Sequence, residues 1–347
     1  MTHMRVDKAA VRVRAFQLVD AGKQNIATAL AAEFGMSRQA AHGHLTRLVL
    51  AGELTAAGAT RSRVYKLAII EEVNKTYHGA GLSEDTIWRE IGSPLVKAFP
   101  ENVRDIWHYG MTEMVNNAID HSGSPSIFVH IQRTALHTAA CVMDDGEGIF
   151  LKIQKALNLF DPRESILELA KGKLTTDPAN HTGEGIFFTS KMFDEYEIRS
   201  GNLFFAHGVG KPDFLLEHPT NKPGTLVYMK LANDSPRITN DVFYAFAPPE
   251  ELTFAKTIVP VRLALYEGEK LVSRSQAKRL TMRFERFQTV ILDFDGVETI
   301  GQAFADEVFR VFQNAHPGIT MIAHRMTTDV EAMVNRALSA GEMPTKE

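Results

Sequence analysis

Glu113, Asn117 and Asp120 recur at i, i+4 and i+7 within EMVNNAIDHS. A helix through this segment carries all three on one face. A carboxylate so placed accepts a proton from an attacking water or hydroxyl. An amide oxygen ligates Mg²⁺ without adding negative charge beside phosphates. Taken alone, three polar residues on one helix face make an ordinary solvated surface, and the later segments change that reading. VMDDGEGI places Asp144 at the end of an apolar run, followed by Gly146 and Gly148. Glycines there let backbone approach a flat ligand while the carboxylate accepts a hydrogen bond, a geometry suited to the exocyclic amine of adenine. TGEGIFFTSKMFD places Gly183 and Gly185 before a predicted helix over Ile186–Phe193, whose first N–H groups suit a phosphate. PGTLVYMKL adds Gly224 and Thr225. In this order and spacing the segments predict a nucleotide pocket.

Several elements must position these residues. The first motif needs a long helix from Asn102 to about His121. Ile127–Ile131 and Ala139–Met143 read as paired strands, the second running into Asp144. Upstream, residues 71–100 are mixed, punctuated by Gly79, Gly81, Pro94 and Pro100, with Ser83 opening a short helix. Residues 150–182 lie between the two glycine boxes and carry Lys152, Lys155, Lys171 and Lys173. A long charged stretch in that place is expected to act as a lid over bound phosphates.

Together these motifs resemble the GHKL superfamily over about 130 residues. The family includes gyrase-type ATPases, Hsp90, MutL and histidine kinases. The resemblance implies ATP and Mg²⁺ as cofactors. It implies Glu113 as the catalytic base, Asn117 as the Mg²⁺ ligand and Asp144 as the acid that reads adenine. Gly146 and Gly148 match the first glycine box, Gly183 and Gly185 the second, and Gly224 and Thr225 the last. Asp120, Ile149, Thr182, Glu184 and Ile186 join the implied pocket. No GxxxxGK[ST] occurs, so the site is not of the Walker type. Histidine kinases carry an upstream His-Glu pair; His108 is followed by Tyr109 and Gly110. ENVRDIWHYGMTEMVNNAIDHS also resembles the N-terminal helix of anti-sigma-factor serine kinases. Water or a protein Ser/Thr hydroxyl remains as the acceptor.

Charge separates a head from the rest. Residues 1–70 hold ten Lys/Arg and four Asp/Glu, a net +6, within a chain of net −4, leaving −10 for the remainder. A basic head points to an anionic partner. Val11–Val19 has helical spacing and Gly22 ends it; Asn25–Phe34 reads as a second helix closed by Gly35. Ser37 is placed to cap a third helix to about Leu50, burying Ala41, Leu45 and Leu48 and turning Arg38, Gln39, His42 and Arg47 outward. Glu53–Leu67 reads as a hairpin with a turn at Ala57–Thr60. GMSRQAAHGHLTRLVLAGEL and this hairpin resemble a winged helix-turn-helix domain over about 60 residues. The resemblance implies double-stranded DNA as partner, with Arg38 and Gln39 facing bases and Arg61 and Arg63 meeting phosphates or the minor groove. Such domains also serve as docking or dimerisation modules.

In the tail, Pro236, Pro248 and Pro249 mark a linker. Beyond it strands are predicted at Ile258–Leu265, Thr289–Phe294 and Ile319–Ala323. Helices are predicted at Ser273–Phe287, Gly301–Asn314 and Thr328–Leu338. LVSRSQAKRL and VILDFDGVETIGQAFADEVFRVF resemble the STAS-like domain (DUF4325) found behind GHKL ATPases, over about 85 residues. Relatives among anti-sigma-factor antagonists carry a phosphorylatable serine after the central strand. Here the matching positions are near Gly301, Gln302 and Ala303, and Thr299 is the nearby hydroxyl. Asp293 and Asp295 either form a phosphoryl or metal site or cap a strand end.

With 44% hydrophobic and 23% charged residues and a mean hydropathy of −0.14, the composition is that of a globular chain. No apolar run reaches the ~18 residues that span a bilayer, and no signal-peptide pattern opens the chain. Cys141 is the single cysteine, which excludes an internal disulfide framework; it is expected to be buried, in a cytoplasmic setting. The expected fold is α+β multidomain: a winged helix-turn-helix over 1–70, a GHKL (Bergerat) α/β sandwich over 71–235 and a STAS-like α/β domain over 250–347. The expected function is a DNA-associated regulator set by Mg-ATP binding and slow hydrolysis. Its alternatives are a serine/threonine kinase of the anti-sigma-factor type acting on a separate partner, and a non-catalytic interaction protein with ATP as structural ligand. A protein partner is expected at the STAS-like domain, no membrane is expected, and a homodimer is one assembly this reading allows.

Overall fold

A computed structural model describes residues 7–59, 63–79, 81–175, 182–247, 254–266 and 269–341. The chain is α+β. Three helices open it: α1 (Lys8–Asp20), α2 (Ile26–Glu33) and α3 (Arg38–Leu50). Each boundary has a local cause. Asp7 caps α1 by accepting from the Ala9 N–H, and Ser37 caps α3 by accepting from the Ala40 N–H at 3.1 Å. Gly22 and Gly35, both with left-handed backbone, turn the chain after α1 and α2. The antiparallel pair β1 (Leu54–Ala57) and β2 (Val64–Leu67) follows. These elements close over their own core of Val11, Ala15, Phe16, Leu30, Ala41 and Leu45. Head and body meet where Asp20 at the end of α1 bonds His137 at 3.0 Å and lies 3.6 Å from the Lys230 ammonium.

The body is built on a five-stranded antiparallel sheet in the order β3-β4-β5-β7-β6. Its strands are β3 (Glu71–His78), β4 (Ser126–Arg133), β5 (His137–Asp144), β6 (Glu195–Gly208) and β7 (Lys211–Ala232). The edge strand β3 was not expected from its sequence: EEVNKTYH is mostly polar and largely exposed, so it lacks the apolar alternation that marks a strand. Short helices α4 (Glu84–Ile87) and α5 (Ser93–Val96) flank a π-helical turn over Trp88–Gly92. Then comes α6 (Glu101–His121), whose buried face of Val103, Ile106, Trp107, Met111, Met114 and Val115 packs on the sheet. Gly110 lets α6 come close to the segment around Phe193, since a Cβ there would stand 2.4 Å from the Phe193 ring.

The first part of the stretch expected as a charged lid forms two packed helices, α7 (Ile149–Leu157) and α8 (Glu164–Lys171), and its residues 176–181 lie outside the described residues. Ser165 through Lys171 are all buried. The helix after the second glycine box is α9 (Gly185–Met192), and α10 (Thr239–Phe246) leads to the tail.

The tail holds a parallel sheet in the order β10-β9-β8: β8 (Lys256–Pro260), β9 (Thr289–Asp293) and β10 (Thr320–His324). Between them run α11 (Arg274–Thr281), α12 (Gln302–Asp306), a π-helical turn over Glu307–Phe312 and α13 (Gln313–Ala315); α14 (Thr328–Gly341) is the last element among the described residues. Two expectations are corrected. The first strand stops at Pro260, which gives way to a 3₁₀ turn over Val261–Ala264. The first helix stops at Thr281 because Arg283 takes left-handed backbone at φ 65°. One continuous apolar cluster includes both Ile166 and Leu167 of the body and Val290, Leu292 and Phe304 of the tail. Cys141 on β5 is half-buried rather than buried, and desolvation pushes its thiol pKa up. Among the described residues no helix is long and apolar enough to cross a membrane.

Candidate functional site

One cavity of about 340 Å³ gathers Glu113, Asn117, Asp144, Gly148, Gly183 and Thr225 from four separate segments of the chain. Its volume lies in the range of small-molecule and cofactor sites. The α6 wall supplies Glu113 and Asn117 from adjacent turns. The opposite wall is the β5 end and its neighbour β7, where Asp144 faces Thr225 across the sheet.

Asp144 ties this wall together. Its Oδ1 accepts the backbone N–H of Gly146 at 3.0 Å and of Thr225 at 3.2 Å. The Thr225 hydroxyl in turn accepts the Ile149 N–H at 3.0 Å, which anchors the first turn of α7. Burial raises the Asp144 pKa, and the two backbone donors partly oppose that shift. Gly148 is required where it stands. It has φ 94°, and a Cβ would lie 2.6 Å from the Ser200 hydroxyl.

The third wall is the start of α9. Gly183, Gly185 and Ile186 line the cavity, and Glu184 at the N-cap makes no side-chain cap. First-turn N–H groups of an uncapped helix suit an anion. Gly185 packs against Glu113: a Cβ there would come within 1.9 Å of a Glu113 carboxylate oxygen, the far end of a flexible side chain. That contact brings Glu113 to the start of α9. Burial raises the Glu184 pKa while Lys173 opposes the rise. This donor set fits a nucleotide: a buried carboxylate for an amine, first-turn helix N–H groups for phosphate, and an amide oxygen for a hard cation.

Most residues chosen from sequence meet here, including Ile149, Ile186 and the exposed Thr182. Four do not line the cavity: Asp120, Gly146, Glu184 and Gly224. Asp120 is exposed. At the far end of α6 the lining positions shift round the helix to Ala118, His121 and Ser122, leaving Asp120 outside. Gly146 acts through its backbone, its carbonyl accepting the Gly224 N–H at 2.8 Å. Glu184 holds the N-cap position of α9 without a side-chain cap bond and is not among the lining residues. The four lysines of the expected lid scatter. Lys152 lines the cavity while donating to the His121 carbonyl at 2.7 Å, and Lys155 pairs with Glu147. Lys173 donates to the Arg286 carbonyl at 3.0 Å, and Lys171 is fully buried against the tail. Sequence reasoning passed over Asn116, Leu169, Leu174 and Thr175, which also line the cavity. Asn116 was legible beside Asn117; the other three carry no motif.

In the head, Arg38, Gln39, His42 and Arg47 are exposed on α3. His42 contacts the Tyr65 hydroxyl at 3.4 Å, and the exposed Arg63 lies 5.5 Å from the Tyr65 ring centroid. Arg61 lies outside the described residues.

In the tail, Asp293 and Asp295 are both engaged by Arg325, whose Nε donates to Asp293 at 2.8 Å and whose Nη1 lies 3.1 Å from Asp295. The Asp295 N–H also donates to Asp293 Oδ1 at 3.2 Å, as a strand-end cap does. Gly301 precedes α12 and Thr299 is exposed nearby. Residues 276–330 match the family described as a STAS-like domain of unknown function (DUF4325). The C-terminal domain is STAS-like. No curated protein matches the chain.

Proposed function

We propose that the chain is a DNA-associated regulator whose state is set by Mg-ATP binding and slow hydrolysis in a GHKL-type pocket. One observation carries the reading: a proton-accepting carboxylate, an amide oxygen, a buried carboxylate and an uncapped helix start converge on a single cavity. In this reading Asp144 accepts a hydrogen bond from the adenine amine. Asn117 holds Mg²⁺, and the α9 N–H groups hold phosphate. Glu113 takes the proton of the attacking water. When bound, Mg²⁺ supplies charge neutralisation on the phosphate oxygens. The head acts as a winged helix-turn-helix, with Arg38 and Gln39 toward bases and Arg63 toward the backbone, supported by their exposure beside a net +6 charge. The STAS-like tail docks a protein partner.

Gel shifts on genomic fragments, with and without Mg-ATP, test the coupling. Nucleotide is expected to change the shift of the wild type and leave that of Asn117→Ala unchanged. Identical wild-type shifts in both conditions remove the coupling. A second reading, transfer to a hydroxyl of a separate protein, also draws on the position of Glu113 beside α9. Label from radioactive ATP appearing on a partner protein selects that reading over hydrolysis.

A further inference from the structure

The wall of the cavity formed by Leu169, Leu174 and Thr175 is bound from behind by the STAS-like tail. Lys171, at the end of α8, donates to the carbonyls of Arg279 at 3.3 Å and Met282 at 2.8 Å. Its partner Glu168 also receives Nη1 of Arg283 at 2.8 Å. The other guanidinium nitrogen of Arg283 donates to the carbonyls of Gly172, at 3.1 Å, and Lys173. Arg286 adds a reciprocal pair: its Nη1 donates to the Lys173 carbonyl at 2.9 Å, and Lys173 Nζ returns to the Arg286 carbonyl at 3.0 Å.

The Gly172 and Lys173 carbonyls belong to a bend at the end of α8, where the Gly172 N–H donates to the Leu169 carbonyl at 3.1 Å. Gly172 and Lys173 both take positive φ, 80° and 51°. For a lysine this conformation is sparsely populated and persists where the surroundings fix it. Immediately beyond the bend, the Leu174 N–H donates to the Gly183 carbonyl at 3.0 Å, and both residues line the cavity. Three links connect tail to pocket: guanidinium to carbonyl at 172–173, bend to Leu174, and Leu174 to the second glycine box.

The geometry points to Arg283 and Arg286 of the tail as positioning residues for the pocket, so that docking of the tail and occupancy of the pocket are linked. The identity of the ligand as nucleotide rests on the function proposed above. Linkage is reciprocal: whatever tightens one tightens the other.

The full-length chain and its Arg286→Ala, Arg286→Lys and Arg283→Lys variants test this. Arg286 is exposed, so its removal spares the core. Hydrogen exchange at the Leu174 amide reads the bend without any ligand. Arg286→Ala is expected to speed that exchange, with a melting temperature near that of the wild type. Calorimetry with Mg-ATP is expected to show affinity lowered about fivefold or more, the lower range for coupled sites. Arg286→Lys keeps one donor and is expected to recover part of the affinity. Arg283→Lys loses the fork that spans Glu168 and the 172–173 carbonyls and is expected to weaken binding. In the wild type Mg-ATP is expected to slow exchange of the amides near Arg283 and Arg286. Unchanged Leu174 exchange in Arg286→Ala overturns the positioning role whether or not nucleotide binds. Altered exchange with unaltered Mg-ATP affinity overturns the linkage. A wild type that fails to bind Mg-ATP overturns the nucleotide reading, and the exchange arm then still decides the positioning role.

Discussion

Asp144→Asn separates the two roles of one side chain. Oδ1 of Asp144 holds the N–H groups of Gly146 and Thr225. An asparagine keeps a carbonyl oxygen in that place, so both bonds survive. The second oxygen becomes an NH₂ donor. If the second oxygen faces the adenine amine, the variant sets donor against donor. The loss is one hydrogen bond to a charged acceptor, about 1.5–3 kcal/mol, with an unmatched donor adding to it. About 3 kcal/mol corresponds to roughly two orders of magnitude in Kd. Stability moves the other way. Burial raises the pKa of Asp144, so the folded protein bears a cost for the ionised carboxylate, fully felt above the raised folded pKa and relieved as pH falls through it. A neutral amide avoids that cost, and Asp144→Asn is expected to melt at or above the wild-type temperature at neutral pH. Asp144→Ala instead orphans two backbone donors at about 1–3 kcal/mol each and is expected to melt lower. Calorimetry with Mg-ATP, alongside thermal melts, reads both quantities. Wild-type Mg-ATP affinity in Asp144→Asn, or a melting loss equal to that of Asp144→Ala, refutes the reasoning.

Gly185→Ala places a methyl 1.9 Å from a Glu113 carboxylate oxygen, the far end of a flexible side chain. The fold is expected to tolerate it while ATP hydrolysis falls about a hundredfold, the low end of general-base effects; undiminished turnover counts against Glu113 as base. Lys171 is fully buried, and desolvation lowers its pKa from 10.5 to about 8. Between those values the unfolded chain binds the extra proton, so stability rises with pH. Relative to Lys171→Met, the wild type is expected to gain on the order of 3 kcal/mol across that window in denaturant titrations. A constant difference refutes the assignment. For DNA, Arg63→Ala is expected to reduce the slope of log K against log salt by about 1 with sequence preference kept, whereas Arg38→Ala is expected to cost about 1–3 kcal/mol and relax the preference. Filter binding over a salt series distinguishes them, and equal effects of the two variants refute the division between backbone and base contacts.

What the sequence determined by itself is what short-range geometry determines. Ser37 capped a helix because an N-cap oxygen needs only the N–H groups of its own first turn. Glu113 and Asn117 shared a face because 3.6 residues complete a turn. Gly146, Gly148 and Gly224 fell where backbone or a buried side chain leaves no room for a Cβ, and their spacing was legible because glycine is the residue that fits such approaches without strain. Folding alone decided the rest. Asp120 obeyed the same helical spacing and still left the cavity, since which end of a helix meets which strand is not written in its period. Residues 150–182 had the composition of a lid. In place, the α8 segment from Ser165 to Lys171 is buried on every side, because the partners that let Glu168 and Lys171 leave water come from the tail, with Arg283 115 positions along the chain from Glu168. A charge reads as exposed until its partner is known, and that partner is supplied only by the tertiary structure.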